Sequence, residues 1–264
     1  MRLTGERPVR GATPDSLLAL HDAGYREVLA RLDSGIVLDV GCGTGDETVR
    51  LTGDDRIVVG ADYDPATVVA AGRGPLAARG VRFAGMDGAR LAVRDRSVDT
   101  VVSSHIIEHF TNPVVHVAEI ARVLRRDGTA FVVTPNAPAD FENPHHVYLF
   151  EPDELISMLG LFFEEVEVLG LEADDLLRAD FAQRRASGER LLKLDVFGLR
   201  HRLPRRLYVW GYERALPVVY RLVGRSNSGI GSGIDERHLY ISPRILPTTP
   251  VLFAVARLPR ARVR

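Results

Sequence analysis

Val37-Leu38-Asp39-Val40-Gly41-Cys42-Gly43-Thr44-Gly45 runs from an apolar stretch holding one acid straight into a turn with three glycines. The β-branched, apolar start reads as a buried strand. Glycine at alternate positions lets the following backbone take positive φ values and pass close to a ligand. The spacing is G-x-G-x-G, shorter than the G-x-G-x-x-G turn that cradles a pyrophosphate at a helix N-terminus. Asp39 stands two residues before the first glycine, where a diphosphate would be repelled. A ligand bearing an ammonium and a sulfonium would not be, so the charge pattern favours an amino-acid-bearing nucleoside over a dinucleotide.

On both sides of this stretch the chain alternates in period. Leu17, Leu18, Leu20, Tyr25, Val28, Leu29 and Leu32 recur at helical spacing behind Asp15 and Ser16, so a helix precedes the strand Ile36 to Val40. The pattern then predicts helix Asp46 to Thr52, strand Ile57 to Ala61, helix Ala66 to Arg79, and strands Val81 to Ala84 and Thr100 to Ser103. Helix Pro113 to Leu124, strand Thr129 to Thr134, a helix from about Pro152 to Leu159 and strand Phe163 to Leu169 follow. Short strands alternating with amphipathic helices predict a Rossmann-like, doubly wound, mostly parallel sheet of seven strands with helices on both faces. From Leu171 to Pro250 the alternation stops, and Val251 to Leu258 reads as one last strand. The expected organisation is therefore a core over 1–170, an inserted, mainly helical cap over 171–249, and a final strand with a tail over 250–264.

Two more acids fall at strand ends. Asp62 closes the second strand, where a carboxylate accepts hydrogen bonds from a ribose diol, and Tyr63 beside it can cover an adenine face. Asp87, in Gly85-Met86-Asp87-Gly88-Ala89, follows the third strand and could accept from an adenine amino group. Asp62 read alone could instead cap the helix near Pro65, and Asp87 could be an ordinary turn residue, the lesser alternatives at each position.

With these residues the sequence resembles the class I S-adenosylmethionine-dependent methyltransferases of the ubiquinone and natural-product type, over about Leu17 to Leu169. The resemblance implies that Asp39, Gly41, Gly43 and Gly45 surround the methionine moiety, that Asp62 holds the ribose, and that Met86 and Asp87 contact adenine. Cys42, Tyr63, Gly88 and Ser103 complete the expected cofactor-binding residues, with S-adenosyl-L-methionine as methyl donor. Ser103-Ser104-His105-Ile106-Ile107-Glu108-His109 resembles the family's fourth motif, which follows the fourth strand and lines the reaction centre, although members often carry a glutamate where His105 stands.

Methyl transfer from a sulfonium is an in-line displacement that depends on alignment, and many acceptors also need a base. Histidine suits that task near neutral pH. His105, at the strand end, is the first candidate, followed by His109 and by His146 of the His145-His146 pair. His105, Glu108 and His109 with a downstream histidine also echo the metal-binding arrangement of small-RNA 2′-O-methyltransferases. His105 replaces the first metal-binding glutamate of that family, so no metal is expected. The predicted reaction is methylation, on oxygen first, of a small molecule, a sugar or glycan, or a lipid-linked acceptor. The alternatives are an RNA 2′-O-methyltransferase and a non-catalytic binding protein of the same fold.

Composition narrows the setting. The 264 residues, 45% of them hydrophobic, can bury a sizeable core, and a net charge of −1 supplies no bulk attraction to nucleic acid. Cys42 is the one cysteine, the first residues lack the apolar run of a signal peptide, and no stretch is long and apolar enough to span a bilayer. A cytoplasmic enzyme is expected. Lys193 is the one lysine among the 34 basic residues, an arginine bias that points to a GC-rich bacterial genome. The segment from Phe197 to Arg225 mixes arginines with Tyr208, Trp210, Tyr212 and Tyr220; it could lie on a membrane surface or clamp an anionic acceptor. The glycine- and serine-rich stretch Ser226 to Gly233 could close over a ligand.

Overall fold

Parallel strands need crossover connections, and the alternating pattern supplies them. In the computed structural model, residues 10–75, 79–140, 143–192, 207, 209–212, 214 and 232–260 are described, with 187–192 described by backbone alone. They divide into two compact units, one drawn from Met1–Ala23, Asp140–His146 and Glu172–Tyr240, the other from Gly24–Ala139, Val147–Leu171 and Ile241–Arg264.

Among the described residues eight strands form one sheet: β1 Gly35–Val40, β2 Arg56–Asp62, β3 Arg82–Gly85, β4 Val98–Ser104, β5 Leu124–Pro135, β6 Phe163–Ala173, β7 Leu239–Ser242 and β8 Val251–Pro259. Their order is β3-β2-β1-β4-β5-β8-β6-β7, with β3 to β5 parallel and β8 antiparallel to both β5 and β6. The direction of winding reverses between β1 and β4, the position at which open α/β sheets open a crevice beyond their strand ends. The register there is tight: Val40 stands beside Ala61 of β2 and Ser103 of β4, and Asp62 beside Gly85 of β3. The glycine turn, Asp62, Met86-Asp87 and His105 therefore all leave the sheet along one carboxyl-terminal edge.

The second unit holds the apolar core. Helix α3 Pro113–Val123 turns Val117, Ile120 and Val123 inward, and α4 Pro152–Gly160 adds Leu155 and Leu159. These pack in one cluster with Leu38, Val101, Val132 and Ala254 of the sheet. The C-terminal half of α1, Asp15–Leu29, reaches the strand residue Val133 through Gly24, where a Cβ would lie 3.3 Å from a Val133 methyl.

Two predicted elements differ and one strand was not predicted. Asp46 to Thr52 is a single 3₁₀ turn, Thr48–Leu51, because β-branched Thr48, Val49 and Thr52 ahead of Gly53 give too little propensity to repay helix nucleation. Helix α2 spans Pro65–Arg73, ending where Gly74-Pro75 cannot continue it. The eighth strand, β7, lies within the stretch predicted to be an insertion.

In the first unit, α5 Asp175–Leu192 starts at Asp174, whose carboxylate accepts the Leu177 amide at 2.9 Å and faces His238 Nδ1 at 2.8 Å. Most of the basic, aromatic segment 197–225 and of the loop 226–233 lies outside the described residues. Among those described, no helix is long and apolar enough to cross a membrane.

Candidate functional site

The turn after β1 is held by the neighbouring strand. The amides of Gly41 and Cys42 both donate to the Ala61 carbonyl, at 2.7 and 3.0 Å, and the Gly45 amide returns to Cys42 at 2.9 Å. Gly41 has φ +80°, and a Cβ there would sit 2.6 Å from Ile106 Cδ1, so both conformation and space demand glycine. Gly43 and Gly45 also take positive φ.

Asp62 joins this turn to the next strand end. Its Oδ2 accepts the Gly43 amide at 2.9 Å, its Oδ1 accepts the Asp64 amide at 2.9 Å, and its own carbonyl accepts the Met86 amide at 3.0 Å. The helix-capping alternative falls to Asp64, whose carboxylate accepts from Ala66 and Thr67 at the start of α2. Asp87 does make a turn, with its Oδ1 accepting the Ala89 amide at 2.8 Å. It is exposed, and its Oδ2 has no protein partner among the described residues. Met86 is half-buried, Gly88 buried, and Tyr63 is 76% exposed beside them.

Asp39 is placed differently from its neighbours. It is wholly buried, and its carboxylate accepts the hydroxyls of Tyr25 from α1, at 3.0 and 3.1 Å, and of Thr48, at 2.6 Å. Burial pushes its pKa up to about 7, against the opposing pull of those two hydroxyls. Burial beside this acid likewise pushes the Tyr25 phenol well above its ordinary value. Tyr25 and Thr48 were not among the residues predicted for the site.

The sign of the Asp39 shift sets a test. A folded pKa above the unfolded one means the native state holds the proton more tightly, so this contribution is complete below about 4 and is lost as the pH climbs to about 7. An asparagine in its place cannot ionise. Asp39→Asn should therefore gain stability relative to the wild type by roughly 3 kcal/mol between about pH 4.5 and 7.5 in urea unfolding. A difference independent of pH would show that Asp39 is ionised throughout.

Beyond β4 the chain turns sharply. His105 has φ +52°, a left-handed conformation uncommon outside glycine, and its amide donates to Val133 at 2.8 Å. Its Nδ1 lies 3.5 Å from Oε1 of Glu108, which is fully buried and accepts the Thr134 hydroxyl at 3.2 Å. His109 ends the 3₁₀ turn Ile107–His109, half-buried. His146 belongs to the first unit, its Nδ1 3.0 Å from Asp140 and its Nε2 3.1 Å from Asn143. Ser103 and Cys42 are both buried; the Ser103 hydroxyl lies 2.9 Å from His116 Nε2.

These features fit S-adenosylmethionine. The glycine turn is held open by positive φ, and carboxylates stand at the ends of β2 and β3 where a nucleoside's hydroxyls and amino group would need acceptors.

Residues 38–132 match the model of a methyltransferase domain family. A probable S-adenosylmethionine-dependent methyltransferase of Mycolicibacterium smegmatis is 34% identical over 182 residues, covering 66% of this chain and 67% of the relative. A counterpart in Mycobacterium tuberculosis strain H37Rv is 34% identical over 179 residues, covering 65% of this chain and 64% of its own. The chain thus spans about two thirds of the length of these two relatives. Among solved structures, a possible histamine N-methyltransferase of Thermotoga maritima superposes with TM-score 0.58 at 15% identity, covering 91% of this chain and 90% of that one. A [4+2]-cyclase gives TM-score 0.56 at 20% identity, covering 91% of this chain and 82% of its own. The sheet order, the glycine turn and the mycobacterial relatives agree, and the chain belongs to the S-adenosylmethionine-dependent methyltransferases.

Proposed function

We propose that this enzyme methylates a hydroxyl of a small-molecule, sugar or lipid-linked acceptor, with His105 as general base. One observation carries the reading: His105 stands at the tip of β4, next in sequence to the Ile106 that packs on Gly41, with its Nδ1 facing the buried Glu108. An alcohol is a poor nucleophile until its proton has somewhere to go. Glu108 orients the ring, and the acceptor's proton would pass to the imidazole as the oxygen takes the methyl and S-adenosylhomocysteine is released.

S-adenosylmethionine supplies a methyl group made electrophilic by its sulfonium. The chain's own part is placement. Asp62 receives the ribose hydroxyls, Met86 and Asp87 the adenine, and the glycine turn lets the methionine end lie against backbone. Asp39 and Ser103 act from behind that surface, through Tyr25, Thr48 and His116.

Methyl transfer from labelled S-adenosylmethionine to sugar, glycolipid and RNA acceptors tests this reading, with and without a chelator. The expected result is chelator-insensitive transfer to a hydroxyl acceptor, and a His105→Gln variant slowed at least a hundredfold in kcat with unchanged affinity for S-adenosylhomocysteine. Transfer to RNA alone, lost with the chelator, would sink it.

A further inference from the structure

Helix α3 carries three polar side chains on one stripe, His116, Glu119 and Arg122, and all three grip the backbone between β3 and β4. Glu119 Oε2 accepts the Leu91 amide at 2.9 Å. Arg122 donates to the Leu91 and Val93 carbonyls, each at 2.8 Å. His116 grips nearest the strand end, with Nδ1 2.8 Å from the Gly88 carbonyl, one residue past Asp87.

The hydrogen positions at His116 follow from its partners. A carbonyl only accepts, so Nδ1 carries the hydrogen and donates to Gly88; Nε2 is then the acceptor and Ser103 donates its hydroxyl. His116 is fully buried, and desolvation lowers its pKa to about 4, which keeps the ring in this neutral form. Phe110 stacks on it at 4.5 Å with planes 12° apart. On the other side the fit is equally close. A Cβ at Gly88 would lie 2.9 Å from the Phe110 ring and 3.2 Å from His116 Nδ1. One imidazole thus ties the turn after β3 to the carboxyl end of β4, with no slack on either side.

We infer that His116 is a positioning residue for the adenine end of the cofactor site: by holding the Gly88 carbonyl, it fixes the turn that presents the Asp87 carboxylate. The inference rests on the reading that Asp87 meets the adenine amino group. A neutral histidine suits the task because each nitrogen has one role, donor to one strand connection and acceptor from another. Were the Gly88 bond lost, the turn could shift by a fraction of an ångström and Asp87 would no longer meet a fixed ring edge.

Two variants separate this role from a merely structural one. In His116→Asn the amide nitrogen occupies the place of Nδ1 and can still donate to Gly88; in His116→Gln it reaches toward Ser103 instead. Calorimetry with S-adenosylhomocysteine and with S-inosylhomocysteine, which has a carbonyl in place of the adenine amino group, reads the outcome. The Asn variant should bind S-adenosylhomocysteine within about threefold of wild type, while the Gln variant binds it at least tenfold more weakly and loses most of the preference for the adenine ligand. Equal losses in both variants, or a loss that leaves the preference intact, would overturn the inference. Should wild type show no preference, the Asp87–adenine reading fails, and the Asn-against-Gln contrast still decides on His116. If the Gln variant does not fold, the ¹⁵N resonances of the wild-type ring serve: Nδ1–H should shift when S-adenosylhomocysteine binds, and an unmoved signal would refute the role.

Discussion

Asp62→Ala should weaken S-adenosylmethionine binding at least a hundredfold in calorimetry, about 2.8 kcal/mol. The residue sits at the end of β2, and its carboxylate already accepts the Gly43 and Asp64 amides. Removing it therefore costs twice: the ribose loses an acceptor, and an amide inside the glycine turn loses the partner that fixes it. An unsatisfied buried donor costs about 1–3 kcal/mol before any ligand contact is counted. Asp62→Asn keeps one acceptor oxygen and should fall between the two. A folded alanine variant that bound within threefold of wild type would show that the cofactor lies elsewhere.

Arg122→Met should lower stability by about 3 kcal/mol, the second large effect. The guanidinium pairs with both oxygens of Glu119, at 2.8 and 2.7 Å, and ties down two backbone carbonyls and Asp95. These partners hold it more firmly protonated than an ordinary arginine. Glu119 is itself buried, so methionine would take away the cation that both of its oxygens face, in a place that water hardly reaches. Thermal unfolding should show a fall of about 6–12 °C. Lysine would recover only part, because a point charge cannot span two carbonyls and a carboxylate at once. A loss below about 1 kcal/mol would mean that the segment between β3 and β4 is held by other contacts.

Much of this architecture could be read from the chain, because β1 and its turn announce themselves through spacing that only a strand entering a close-approach turn would use. The strand-end positions of Asp62 and Asp87 were legible for the same reason, each following soon after a short β-branched or apolar run. What could not be read depends on partners distant in sequence. Tyr25 looks like one more member of the apolar stripe of α1, and nothing local reveals that its hydroxyl meets Asp39. His116, Glu119 and Arg122 read as the ordinary polar positions of an amphipathic helix, since their partners lie about thirty residues earlier. β7 escaped because four residues with one fully buried side chain give no periodic signal. Asp39, Asp62 and Asp87 look alike in the sequence, although Asp39 is fully buried and Asp62 nearly so while Asp87 is exposed, a difference that no local pattern reveals.

The position of β8 bears on how the molecule assembles. It comes after every other strand in the chain, yet it lies between β5 and β6, pairing with seven consecutive residues of one and most of the other. A ribosome therefore delivers β8 after both of the strands that it joins. Until it arrives, β5 presents an open row of amides and carbonyls flanked by Phe131, Val132 and Val133, which invites pairing with another nascent chain. Closure of the sheet therefore waits on β8, and a holdase chaperone acting on the chain before β8 emerges would guard the β5 edge above all.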